Sequence, residues 1–187
     1  MRSTTVICLL RSVNVGGHGI LKMEALRALC TSLKFRNVQT YVQSGNVVFH
    51  SDEADLDVLV QKIEKALERK FGFRPAVMLR TTADLRRIVA KNPFAKRSDI
   101  EPSRLLVSFL GTDPPKDALQ IIREKNPGRE EVHLHGRELY IYFPDGIARS
   151  KLSTALLDRA LKTPGTARSW NTVNKLLAIA ESLESAA

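Results

Sequence analysis

The chain is poor in the residues that most often mark covalent or metal chemistry. Its 187 residues include two cysteines, four histidines and one tryptophan, and aromatics make up 6%. Cys8 and Cys30 have neither C-x-x-C spacing nor polar neighbours, which argues against redox and zinc chemistry and for two reduced core thiols. No apolar run approaches the length of a membrane span. Met1-Arg2-Ser3-Thr4-Thr5 carries no signal-peptide cleavage pattern, so a cytoplasmic protein without membrane attachment is expected. No cofactor or metal is expected. His133 and His135 point the same way along one strand, but no matched third ligand accompanies them.

Acidic residues are scarce at both ends. From Met1 to Ser51, Arg2, Arg11, Lys22, Arg27, Lys34 and Arg36 face Glu24 alone; from Gly146 to Ala180, Arg149, Lys151, Arg159, Lys162, Arg168 and Lys175 face Asp158 alone. The formal net charge of +9 therefore sits in the two terminal regions. Such a field attracts anions: a phosphorylated small molecule or nucleic acid. The 43% hydrophobic content is ample for a buried core.

Periodicity orders the chain. Strands are expected at 5–10, 38–43, 46–50 and 76–80, with helices at 23–33 and 56–71. A short helix at 83–90 leads into a proline-bearing linker, Lys91 to Pro102. Strands then follow at 105–110, 131–135, 138–143 and 166–168, with helices at 116–125, 150–161 and 171–183. Each half reads β-α-β-β-α-β, the split βαβ order of the ferredoxin-like fold. The expectation is an α+β protein of two such units: residues 1–82, a helix and linker at 83–103, and residues 104–187 with the C-terminal helix. Ser44-Gly45 and Gly136-Arg137 read as two-residue hairpin turns. The first would place Val42 opposite Val47 and Thr40 opposite Phe49. Helices should cover the apolar faces, leaving polar-aromatic faces and a basic polar cleft between the units.

Candidate site residues gather at three places. Arg11, Asn14, Gly16, Gly17 and His18 occupy a glycine-rich loop from strand to helix, the position at which free N–H groups hold anions. Neither G-x-G-x-x-G nor a P-loop is present, so the loop does not name its ligand. Gln43, Ser44 and Asn46 flank the first hairpin turn beside Tyr41, where paired amides can recognise a base or peptide group. Arg168, Trp170, Asn171, Thr172 and Lys175 begin the last helix, with Asn171 or Ser169 as its cap. Lys151 joins these as a phosphate contact. Tyr41, Tyr140 and Tyr142 could stack on bases. The leading expectation is an anion-binding protein. The alternatives are an enzyme on a phosphorylated or nucleotide substrate with His18 as acid/base, and a protein-interaction module.

Leu9-Leu10-Arg11-Ser12-Val13-Asn14-Val15-Gly16-Gly17, Thr40-Tyr41-Val42-Gln43-Ser44-Gly45-Asn46, Asn92-Pro93-Phe94, Ser150-Lys151-Leu152 and Thr166-Ala167-Arg168-Ser169-Trp170-Asn171 together resemble a bacterial family, domain of unknown function 1697. The resemblance runs through almost the whole chain. It implies two ferredoxin-like repeats and no activity. Ser12 stands where that family generally has Gly, and Ser169 where it generally has Asn.

Overall fold

The computed structural model describes residues 3–16 and 19–186. The chain divides into two compact units, 1–87 with 175–187, and 88–174. The division departs from the chain-order boundaries because the last helix belongs partly to the first unit. There Arg86 pairs with Glu181 and Glu184 at 2.8 and 2.9 Å.

The first unit runs β1 (Thr4–Leu10), α1 (Met23–Ser32), β2 (Arg36–Tyr41), β3 (Asn46–Ser51), α2 (Leu56–Phe71) and β4 (Val77–Thr81), with α3 (Thr82–Ala90) following directly. Its sheet has the order β2-β3-β1-β4, with every neighbouring pair antiparallel. The second unit runs β5 (Leu105–Leu110), α4 (Ala118–Lys125), β6 (Glu131–His135), β7 (Glu138–Tyr142), α5 (Thr154–Leu161) and β8 (Gly165–Ser169), then α6 (Trp170–Ser185). Its order, β6-β7-β5-β8, repeats the first. These are two βαββαβ units, as the alternation of periods predicts. Among the described residues, no helix is long and apolar enough to cross a membrane.

Alternation along the strands decides the packing. Val6, Cys8, Leu10, Val47, Phe49 and Leu79 form one face of the first sheet, against Leu26, Leu29 and Cys30 of α1 and Leu59, Ile63 and Leu67 of α2. Fully burying each such aliphatic side chain is worth about 1.5–3 kcal/mol. Burial pushes the Cys30 thiol up to about 12, so it stays protonated and inert. Helix α2 is set by local chemistry at both ends. The Asp55 carboxylate accepts from the N–H groups of Asp57 and Val58, and left-handed Gly72 (φ 74°) donates to the Glu68 carbonyl. In the second unit Leu110, Val132, Leu139, Ile141 and Phe143 form the matching face, under Ala118 and Ile122 of α4 and Ala160 and Leu161 of α5.

Several expectations need correction. The first hairpin pairs Tyr41 with Asn46 and Thr40 with Val47, so its loop has four residues, not two. Asn46 explains this: its amide donates to the Tyr41 carbonyl and the Ser44 hydroxyl, both at 2.9 Å, closing a wider turn. Val42 adopts a left-handed φ of 50° and is exposed rather than packed opposite Val47. The second hairpin does pair His135 with Glu138 around Gly136-Arg137. Residues 150–153 lie outside α5. The polar faces are mixed: Asn46, His50, Glu138, Tyr140 and Tyr142 are buried, while Gln39, Gln43 and His135 are exposed. Tyr140 and Tyr142 are therefore not stacking platforms. Their hydroxyls donate to the carbonyls of Ile88 (2.7 Å) and Asp99 (3.2 Å).

The expected linker is likewise pinned in place. Phe94 is buried, lying 5.1 Å from the His133 ring and 5.7 Å from that of Tyr142. Arg97 binds Asp99 and Glu131 at 2.6 Å each. These contacts hold residues 94–101 against the second sheet.

Candidate functional site

The duplicated frame makes one difference conspicuous. In the second unit β5 ends at Leu110 and α4 begins at Ala118; in the first, β1 ends at Leu10 and α1 waits until Met23. The frame around both connections is shared. The Leu10 N–H donates to the Gly45 carbonyl and the Leu110 N–H to that of Arg137; the Arg11 N–H donates to Ala76 and the Gly111 N–H to Pro164. What the first unit adds is a longer loop from Arg11 to Lys22.

That loop is built from left-handed positions. Ser12 (φ 55°), Asn14 (56°), Gly16 (58°) and Gly19 (60°) all lie in the region that favours glycine. Asn reaches it more readily than other side chains, whereas Ser12 is strained there. At Gly19 a Cβ would stand 2.7 Å from the Ser12 carbonyl oxygen, so no side chain fits. Buried Val13 and Leu21 anchor the two arms, while Val15 and Ile20 are 63% and 73% exposed. Gly17 and His18 lie outside the described residues.

Asn14 closes the loop. Its Nδ2 donates to the carbonyls of Leu21 (2.9 Å) and Gln43 (2.7 Å), and its Oδ1 accepts from the Leu21 N–H at 2.8 Å. The same amide thus fastens the loop to itself and to the hairpin. Two of the three places singled out in sequence, the Arg11–His18 loop and the Gln43–Asn46 turn, are neighbours. Asn14 and Asn46 spend amide groups on scaffolding, while Gln43 is exposed and Tyr41 half-buried. Gly45 must be small there, since a Cβ would meet Leu10 Cβ at 2.8 Å.

Beside the loop, α2 ends at Phe71 and passes into the connection to β4, which carries Phe73 and Arg74. The loop residues Arg11, Ser12 and Gly19 and these three line an open pocket of about 540 Å³. The Arg74 guanidinium is committed to acids: Nε and Nη2 donate to Glu64 Oε2 at 3.0 and 2.8 Å, and Nη1 lies 3.8 Å from Glu68. Glu64 in turn accepts from the Val77 N–H, which fixes the connection to the start of β4. The rings of Phe71 and Phe73 are 6.4 Å apart and tilted by 44°. Sequence reasoning found Arg11 here but missed the aromatic wall, because Phe71 reads as the end of an amphipathic helix and Phe73 falls between that helix and the next expected strand.

The remaining candidates lie on other elements. Arg168 of β8 is buried, with Nη1 donating to Thr166 Oγ1 (2.7 Å) and the Ala167 carbonyl (2.9 Å). Arg80 holds the equivalent place in β4, also buried and bonded to the preceding carbonyl, that of Leu79 (2.8 Å). The shared position follows from register, Ile7 with Arg80 and Val107 with Arg168. Ser169, not Asn171, caps α6: its Oγ accepts from the Thr172 N–H at 3.2 Å and lies 2.9 Å from Thr172 Oγ1. Trp170 is half-buried, and Asn171 and Lys175 are exposed. Exposed Lys151 is positioned by Glu130, whose Oε1 accepts from the Lys151 N–H and the Ser150 hydroxyl. Desolvation pushes the Glu130 carboxyl up, but these bonds outweigh it and hold the group below its ordinary range. Among the described residues no His, Cys, Asp and Glu cluster suits a metal.

Comparison with known proteins adds the fold and the family. A structure of the conserved bacterial protein SP0830 from Streptococcus pneumoniae is similar at a TM-score of 0.72 and 22% identity, covering 96% of this chain and 99% of that one. At that identity the likeness concerns the fold. No curated protein matches. The family model described as "Protein of unknown function (DUF1697)" matches residues 3–140, a span that includes the long loop, the first hairpin and the pocket. The chain belongs to that family.

Proposed function

We propose that the protein is a cytoplasmic binder of an anionic ligand, held at the end of the first unit where the Arg11–Lys22 loop meets the α2–β4 connection. The observation that carries this reading is the pocket itself, about 540 Å³, with Arg11 and Ser12 on one wall and Arg74 on the other. That volume is within the range of small-ligand sites. The extra loop supports the same choice, since connections on a rigid frame are where binding residues concentrate. Arg168 and Lys151 belong to the second unit and are not part of this pocket. The test is calorimetric titration of wild-type protein and Arg11→Ala with phosphorylated ligands. Binding that weakens at least fivefold in the variant supports the site; binding unchanged in the variant refutes it.

A further inference from the structure

We infer that the junction of the long loop with the first hairpin is a docking surface for a protein segment that combines apolar residues with carboxylates. The inference goes beyond the anion site and uses neither Arg11 nor Arg74.

The surface is apolar at its centre. Among the described residues five large apolar side chains are exposed, and three of them, Val15, Ile20 and Val42, gather here. The Asn14 clasp brings them together. Val15 follows Asn14, Ile20 precedes Leu21 and Val42 precedes Gln43, and the Asn14 amide bonds both Leu21 and Gln43. Single exposed aliphatics are ordinary on a protein surface, whereas a cluster on a fixed scaffold marks a place of contact. Val42 is the sharpest sign. It holds its side chain toward solvent at a left-handed φ of 50°, the conformation that β-branched residues fit worst. Glycine or asparagine would take that conformation with less strain.

Charge selects the occupant. Residues 11–22 and 42–45 contain no acid. Lys22 and Arg27 are exposed, and neither meets a carboxylate among the described residues. Arg27 Nη1 donates to Thr40 Oγ1 at 2.6 Å, which holds the guanidinium at the foot of the hairpin. Glu24, exposed on α1, is the only acid between Met1 and Ser51. An apolar centre with a cationic rim complements apolar residues flanked by carboxylates. A second copy would bring Lys22 and Arg27 against their own counterparts, in a chain of net charge +9. Capture by an anionic membrane takes about four to eight clustered basic residues, and a nucleic-acid strand takes several phosphate contacts. Two cations fall short of both.

The experiment pans a phage library of random dodecapeptides on the wild-type protein and measures the recovered peptide, fluorescently labelled, by anisotropy. Recovered sequences are expected to combine Asp or Glu with Leu, Ile or Phe. Val42→Asn should weaken the peptide about fivefold while its unfolding midpoint stays at or above that of wild type. A merely structural valine would not part those two readouts. Lys22→Glu should weaken the peptide about tenfold, since it reverses a rim charge. Should Val42→Asn fold less well, Lys22→Glu decides alone. A panning without consensus, or peptides that bind both variants as tightly as wild type, would overturn the proposal. So would sedimentation with vesicles of anionic lipid, or a dimer by ultracentrifugation, that is lost in Val42→Asn: those results would give the surface to a membrane or to a second copy. None of these outcomes bears on the anion site, which Arg11→Ala tests separately.

Discussion

Replacing Asn14 should loosen the long loop. Three hydrogen bonds to its side-chain amide are lost in Asn14→Ala, those to the carbonyls of Leu21 and Gln43 and from the Leu21 N–H. Partly buried bonds of this kind contribute about 0.5–1.5 kcal/mol each. The bond to Gln43 is exposed and falls at the low end, because water replaces it readily. Together they come to roughly 2 kcal/mol. The backbone adds to this. At φ 56°, alanine pays about 1 kcal/mol that asparagine largely avoids. The expected loss is thus about 3 kcal/mol, close to a hundredfold in the unfolding equilibrium of the first unit.

Asn14→Gly separates the two contributions. It loses the same bonds but is at ease with the left-handed conformation, so it should lie about 1 kcal/mol above the alanine variant. The assay is urea unfolding combined with residue-level hydrogen exchange. The Leu21 amide is the most direct reporter, since Asn14 Oδ1 accepts its proton. Both variants within 0.5 kcal/mol of wild type, with Leu21 protection unchanged, would refute the clasp.

Three further outcomes follow from the same geometry. Ser12→Gly should stabilise by about 0.5–1 kcal/mol in thermal unfolding, because it relieves a left-handed serine; destabilisation would contradict the strain. Ser169→Ala should cost about 1 kcal/mol through loss of the α6 cap, whereas Ser169→Asn keeps an acceptor and should stay near wild type. The His133 imidazole is held below its ordinary value of 6.5, first by burial and then by Arg123, His135 and Arg97, against an opposing pull from Glu131. The unfolded chain therefore takes up the proton first. Stability should fall as pH drops from about 6.5 through the lower folded value. His133→Gln should lessen that slope in denaturation midpoints taken at several pH values, and identical slopes would count against the assignment.

What the sequence revealed depended on whether the signal was local. Alternation of apolar residues was enough for both sheets and the two-layer packing. The Asp55 cap and the Gly72 stop mark α2 by chemistry that lies within a few residues. The first hairpin misled because its turn is closed by a side chain: Asn46 reaches back to the Tyr41 carbonyl and widens the loop. Tyr140 and Tyr142 looked available on a polar face, yet their hydroxyls hold residues 88–99, which follow the first unit in sequence and have no periodicity linking them to β7. Buried Arg80 and Arg168 are a repeat in register rather than in sequence spacing, so no motif scan displays them. At the site, Arg11 and Asn14 were legible from composition. Their roles differ, one lining the pocket and the other fastening the loop, and that distinction comes only from the hydrogen bonds. Phe71 was hidden because an aromatic at the end of an amphipathic helix reads as core, and Phe73 because it falls between the expected helix and strand.

The central claim is that the first unit carries a ligand pocket under its long loop. Amide chemical-shift mapping of the labelled protein on addition of a nucleoside monophosphate tests it most directly. The account predicts saturable shifts concentrated at Ser12, Gly19, Ile20, Phe73 and Arg74, with the second unit silent. Shifts confined to the second unit, or none at millimolar ligand, would contradict it.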